Sequence, residues 1–322
     1  MQSNSYKTIG IYLLTCLIWG STWLAIKIGL ESTPPIIAVG YRFTLAGVLI
    51  FSVIKIRGIK IQTDKTAIKL YLAMAIFSFI IPYGLIYWAE QFVPSGLTAV
   101  LYAVYPFSIA ICTTLMIPEE KIGVNKIIGM VVSFTGLYVI FSDSFSGNLN
   151  NYVIGMIVVI LSALMQSAIA VSIKKFGNHL HSLAMNFYPM IIAGIILTIY
   201  GIISGFVSIH SSTGEPGDWS VKVFGVFNIS SVFSIFYLAL FGSLITFTSY
   251  YWLLKRVNII IVSLITFITP VIALFLGWLF YREELSFHQS AGCVLVLAGL
   301  LIAIFGNIVK GFIKKHDKHN KN

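Results

Sequence analysis

Apolar residues in this chain come in long unbroken blocks, with neither the alternation of half-buried strands nor the narrow stripes of surface helices. The blocks lie near residues 9–30, 36–56, 68–89, 95–117, 125–141, 153–174, 182–207, 231–254, 259–281 and 289–309. Each has about the 20 residues that a helix needs to cross a bilayer. The pattern predicts an all-α integral membrane protein with ten transmembrane helices. The first block, Ile9 to Leu30, is too long for the apolar part of a signal peptide and lacks an A-x-A cleavage site, so it reads as a retained helix.

Composition agrees with this class. Hydrophobic residues make up 58% of the 322 and charged residues only 10%, against about 25% charged in soluble domains. Mean hydropathy is +0.92. Cys16, Cys112 and Cys293 are odd in number, sit in apolar blocks and form no C-x-x-C, which suggests neither a disulfide framework nor a zinc site.

Net charge is +10, but its distribution carries the information. With the N-terminus inside, the cytoplasmic segments hold Lys7, Lys55, Arg57, Lys60, Lys65, Lys69, Lys121, Lys126, Lys174, Lys175, Lys255, Arg256, Lys310, Lys314, Lys315, Lys318 and Lys321. The outer loops hold Lys222 and Arg282, and Lys27 and Arg42 lie inside helices. This asymmetry predicts both termini in the cytoplasm of a multi-pass plasma (inner) membrane protein. The basic residues report orientation and not nucleic-acid binding.

The chain also repeats itself. Tyr87-Trp88, Pro106 and Glu119-Glu120 recur as Tyr251-Trp252, Pro270 and Glu283-Glu284, all at an offset of 164. "AIK" ending at Lys27 lies more weakly against "SIK" ending at Lys174. The repeat spans five helices, an odd number, so the second copy enters the membrane from the opposite side. The expected organisation is a five-helix repeat over 1–145, an inverted one over 146–310 and a basic cytoplasmic tail over 311–322. Inverted repeats are a transporter signature, because two pseudo-symmetric halves can rock about a midplane site. Pro106 and Pro270 fall mid-helix, where a proline frees a carbonyl and kinks the chain. Gly129, Ser133 and Gly136 in helix 5, with Gly292 and Gly299 in helix 10, form small faces suited to close packing.

These residues resemble the EamA-type branch of the drug/metabolite transporter superfamily. "WGSTWLAIK" at 19–27 resembles its first-helix motif, "YRF" at 41–43 its second-helix arginine motif, and "AEQFVPSGLTAVLYAVYP" at 89–106 its fourth-helix signature. The paired P…E spacings, Pro106–Glu119 and Pro270–Glu283, resemble its helix 4 and helix 9 signatures. The likeness covers about residues 9–306. It implies ten helices in an inverted five-plus-five repeat, export or exchange of small metabolites, and a cavity lined by helices 1, 3, 4, 6, 8 and 9. Gln166 departs from the pattern, where a tryptophan is common.

Candidate site residues follow from depth and helix face. Lys27 lies 18 residues past Ile9, about 27 Å along the helix, near the outer interface. Arg42 lies about 9 Å inside the outer end of helix 2. Both read as peripheral: either they snorkel to the outer headgroups, or they form a cationic outer gate for a substrate carboxylate. Glu31 and Glu90 are the candidate partners, and a Glu90–Arg42 pair that breaks on opening is one form of such a gate. Trp19, Trp23 and Lys27 share one face of helix 1. Tyr83 and Tyr87, Tyr102 and Tyr105, Gln166 and Ser167, Thr246 and Tyr250, and Thr266 and Thr269 supply polar or aromatic groups in helices 3, 4, 6, 8 and 9. The expected substrate-binding set is Trp19, Trp23, Lys27, Tyr83, Tyr87, Tyr102, Gln166, Thr246, Tyr250 and Thr269. The expected gating set is Arg42, Glu90, Pro106 and Pro270. Indole, hydroxyl and amide groups suit an amphipathic solute such as an amino acid.

No motif of a membrane enzyme is present: no HExxH, no GxSxG, no P-loop and no catalytic residue. No cofactor or metal is called for. The expected partners are a small-molecule substrate and the lipid bilayer, with no nucleic acid, and the protein is expected to be a monomer. A carrier of nucleotide-linked sugars would need more cations than Lys27 and Arg42 supply; a sugar or drug-like cargo, or a channel, remain as other readings.

Overall fold

A computed structural model describes residues 2–116, 124–144, 150–211, 229–257, 262, 265–299 and 301–302. All of its regular structure is helical. In chain order the helices are α1 (Gln2–Leu30), α2 (Pro35–Ile56), α3 (Lys65–Ala89), α4 (Ser95–Met116), α5 (Val124–Ser144), α6 (Asn151–Phe176), α7 (Ser182–Ser211), α8 (Ile229–Arg256), α9 (Ile265–Tyr281) and α10 (Phe287–Gly299). Among the described residues, seven helices are long and apolar enough to cross a membrane, and three shorter apolar helices accompany them, within α5, α9 and α10. The expected count of ten full spans is therefore met in part. Glu119, Glu120, Lys121, Lys222 and the basic tail lie outside the described residues.

Local chemistry sets the helix ends. Pro34 and Pro35 open α2, where a proline needs no hydrogen-bonded N–H. The side chain of Asp64 accepts from the N–H of Ala67 at 3.2 Å to cap α3, and that of Asn150 accepts from Val153 at 3.0 Å to cap α6. The outward faces stay apolar: Leu17, Val131, Ile203 and Phe233 are all more than half exposed. Water would penalise such a surface; hydrocarbon does not.

Packing partners exchange in pairs. α1 packs on α9 as α6 packs on α4, and α3 packs on α6 as α8 packs on α1. α2 packs against α7 and α4 against α9. The same exchange relates two distortions. α3 carries a π-helical turn at Ala75–Ile80, and α8 carries one at Leu240–Ile245. Pro82 follows the first; the second has no proline, so the distortion is not a proline effect alone.

The expected proline kinks are realised differently. α4 breaks after Tyr102 and resumes at Tyr105, so that Pro106 opens its second half. Pro270 stays inside a continuous α9, and Pro189 inside α7.

The small faces of α5 and α10 meet. The hydroxyl of Ser133 donates to the carbonyl of Val296 at 3.0 Å, and a Cβ on Gly136 would stand 2.6 Å from the carbonyl oxygen of Gly292. A Gly136→Leu substitution is therefore expected to destabilise the protein by about 2 kcal/mol or more through overpacking, read as a lower melting temperature in detergent. An unchanged melting temperature would mean that α5 does not need this contact.

Candidate functional site

A cavity lies among α1, α2, α3, α4, α6, α8 and α9. α1 contributes Trp19, Thr22, Trp23 and Ile26; α3 contributes Ser78, Tyr83 and Ile86; α4 contributes Tyr102 and Tyr105. α6 adds Gln166, Ala170 and Ile173, α8 adds Phe247, Tyr250 and Tyr251, and α9 adds Thr266 and Thr269. The cavity between these walls is about 70 Å³, well below the range of small-molecule sites, so the walls stand close together in this conformation.

Aromatic pairs knit the wall across helices. The Trp19 ring lies 5.1 Å from that of Tyr250 and 5.3 Å from that of Phe247. Trp23 lies 5.6 Å from Tyr102, which stacks on Tyr105. The hydroxyls of Tyr105 and Tyr250 are 2.8 Å apart and share a hydrogen bond. Gln166 is 8% exposed, and its Nε2 has no partner among the described residues. The wall thus offers stacking faces and neutral polar groups.

The remaining wall residue is Arg42 of α2. It was expected at the periphery; the structure buries it at 1% exposure in the cavity wall. Its Nε donates to the Ser243 hydroxyl at 3.0 Å, its Nη1 to the Tyr87 hydroxyl at 3.3 Å and its Nη2 to the Gly242 carbonyl at 3.2 Å. The rings of Tyr83 and Phe43 lie 5.0 and 5.3 Å from its Cζ. Gly242 and Ser243 belong to the π-helical turn of α8, which turns their polar groups toward α2. Gly242 has to be glycine-sized, since a Cβ there would come within 2.9 Å of Thr22. The helix set expected to line the cavity therefore gains α2.

Three residues of the expected binding set stand off this wall: Lys27, Tyr87 and Thr246. Tyr87 holds Arg42. Thr246 donates back to the Phe241 carbonyl at 3.0 Å, inside the π-helical turn. Lys27 donates to the backbone carbonyl of Glu90 at 3.4 Å. The expected Glu90–Arg42 ion pair is not formed, because Arg42 is engaged by α8 and Tyr87; both carboxylate oxygens of Glu90 are buried without a hydrogen-bond partner among the described residues.

Around Lys27 the helix ends are latched. Glu283, just past α9, accepts from the N–H groups of Ser95 and Gly96 at 2.9 and 3.2 Å. Tyr281 donates to the Glu31 carboxylate. At the opposite end His179 pairs with Asp64 at 3.2 Å, and Lys255 donates to the carbonyl of Leu180. Both ends of the cavity carry polar contacts between helices.

Such a fold and such a cavity define a multi-pass membrane carrier of small molecules. The sequence profile of the EamA-like transporter family matches residues 7–142 and again residues 153–305. The chain belongs to that family, and it is a secondary transporter and not an enzyme. The chain is similar to the Uncharacterized transporter YoaV of Bacillus subtilis, at 27% identity over 297 residues, 92% of this chain and 96% of that one. It is similar to Protein PagO of Salmonella typhimurium, at 27% identity over 299 residues, 93% of this chain and 92% of that one. The Uncharacterized inner membrane transporter YedA of Escherichia coli is 28% identical over 291 residues, 89% of this chain and 88% of that one. A crystal structure of a protein only 16% identical superposes with a TM-score of 0.65 over 93% of this chain and 98% of that one, which concerns the fold alone.

Proposed function

We propose that this transporter exports or exchanges an amphipathic metabolite such as an amino acid, by alternating access between two inverted five-helix halves. The observation that carries the reading is the cavity wall, whose indole and phenol rings surround the neutral Gln166 amide and the single Arg42 guanidinium. The paired exchange of packing partners and the double match of the family profile support the two halves. The charge asymmetry supports cytoplasmic termini, and the name of the YedA relative supports an inner-membrane location. Nucleotide-linked sugars fit less well, because one guanidinium does not match a diphosphate.

In this reading Trp19, Trp23, Tyr83, Tyr102, Gln166, Tyr250 and Thr269 meet the substrate. Lys27, Glu90, Tyr281 and Glu283 close the outer end. The break in α4 beside Pro106 and the proline of α9 give the halves their hinges.

Counterflow in proteoliposomes preloaded with amino acids, polyamines, sugars or nucleosides tests the reading. Accumulation of a labelled amino acid is the expected result; accumulation of a polyamine or nucleoside alone would overturn it. Lys27→Gln is expected to change the rate at least threefold with the substrate preference intact, since Lys27 touches Glu90 and not the cavity. An unchanged rate would make Lys27 an interfacial anchor.

A further inference from the structure

We infer that Arg42 is a subsite for the carboxylate of the substrate, so that the cavity selects organic acids with an apolar body and does not require an amino group. The inference rests on the transporter reading above and narrows its substrate class.

The guanidinium is always charged and has five N–H donors. Three neutral acceptors orient it, and two aromatic rings flank it. None of these carries a negative charge. Among the described residues no carboxylate lies within ion-pair distance of Arg42, and neither carboxylate oxygen of Glu90 is hydrogen-bonded to it. A buried charge without a counter-charge is costly. Here the charge faces a cavity, so an anionic ligand can supply what the protein does not.

Lys27 does not compete for this role, because it stands off the cavity against the Glu90 carbonyl. Nor does the wall contain, among the described residues, an acidic side chain to receive an ammonium. The ligand's other polar end meets neutral groups only, Gln166 foremost, whose Nε2 is buried and unpartnered among the described residues. A planar fork held in place takes a carboxylate through paired hydrogen bonds, which a lysine at the same position would not reproduce. The ring faces of Trp19, Trp23 and Tyr102 are left for the apolar body.

Three probes that share a phenyl ring separate the terms: L-phenylalanine, 3-phenylpropionate and 2-phenylethylamine. Their binding to the purified full-length chain in detergent is measured by calorimetry. The two acids are expected to bind at least tenfold more tightly than the amine. Arg42→Gln is expected to remove that preference and Arg42→Lys to keep part of it. The wild-type comparison stands by itself if Arg42→Gln does not fold. Tighter or equal binding of the amine by wild type would overturn the carboxylate subsite and leave the amphipathic-carrier reading intact, as would an Arg42→Gln protein that keeps its preference for acids. No binding of any of the three by folded wild type would overturn the subsite together with the aromatic-cavity reading.

Discussion

Replacing Glu283 with glutamine is expected to lower the melting temperature of the solubilised protein by several degrees and to cut transport at least tenfold. The first N–H groups of a helix have no partner inside it. α4 begins after Pro94, which supplies no side-chain cap. Glu283 does this from another segment: its carboxylate accepts from the N–H of Ser95 at 2.9 Å, from the N–H of Gly96 at 3.2 Å and from the Ser95 hydroxyl at 3.0 Å. Negative charge at a helix N-terminus is favourable as well. Glutamine keeps one oxygen but turns an NH2 group toward a donor. Hydrogen bonds to charged groups are worth about 1.5–3 kcal/mol each, and Glu283 is half-buried, so a net loss of about 2 kcal/mol is expected. Transport suffers more than stability because the contact joins α4 to the end of α9, one helix from each of the two halves proposed above, beside Lys27. Glu283→Ala, with no acceptor left, is expected to be worse than glutamine. A glutamine variant with the melting temperature and transport rate of wild type would show that the cap holds nothing together.

Much of the fold was legible in the sequence because hydrocarbon simplifies the rules. A span must be apolar and about 20 residues long, and block length is read directly. The small faces of α5 and α10 were legible as surfaces suited to close packing, but that they pack on each other, through Ser133, Gly136 and Gly292, came only from the structure. The aromatic wall was partly legible. Trp19 and Trp23 share a helical face, and Tyr102, Gln166, Tyr250 and Thr269 are polar or amphipathic where lipid would reject them. Thr22 and Ile26, three residues beyond each tryptophan, were available by the same spacing.

Arg42 was misplaced for a physical reason. Distance along a helix axis gives depth but not direction. A side chain as long as arginine reaches several ångströms from its Cα, and here it reaches inward to α8. What receives it is the π-helical turn at Leu240–Ile245, which no hydrophobic pattern announces because it changes hydrogen-bond spacing and not polarity. Gly242 marks that turn, but a lone glycine in an apolar helix has many readings. The role of Glu283 was hidden likewise: the repeated Glu-Glu showed that the position mattered, while its partners, two backbone N–H groups 188 and 187 residues away, leave no trace in composition.

A Glu90→Gln variant is expected to lose a pH dependence that the wild type shows. Glu90 is the first residue past α3, is 0% exposed, and neither of its oxygens has a hydrogen-bond partner among the described residues. The charged groups that face it are Lys27 from α1, Glu283 from beyond α9 and Arg42 from α2, while α6 presents Gly155 against its neighbour Ala89. Burial pushes the carboxyl well above the usual carboxylate range; Lys27 pulls it down, Glu283 pushes it up and Arg42 pulls it down, and burial prevails. The folded, closed protein therefore holds a proton that the unfolded chain releases near its ordinary pKa of 4.5. Stability from this group is complete below that value and is lost as pH rises through the raised native pKa. In thermal melts from pH 4.5 upward, wild type should lose stability relative to Glu90→Gln, whose amide does not titrate. The same sign applies to the gate. Opening the Lys27 end hydrates Glu90 and lets the proton go, so the wild-type transport rate should climb with pH while that of Glu90→Gln changes less. Parallel pH profiles for the two proteins would mean that Glu90 is already ionised in the closed state, with Lys27 as its counter-charge and not merely a donor to its backbone carbonyl.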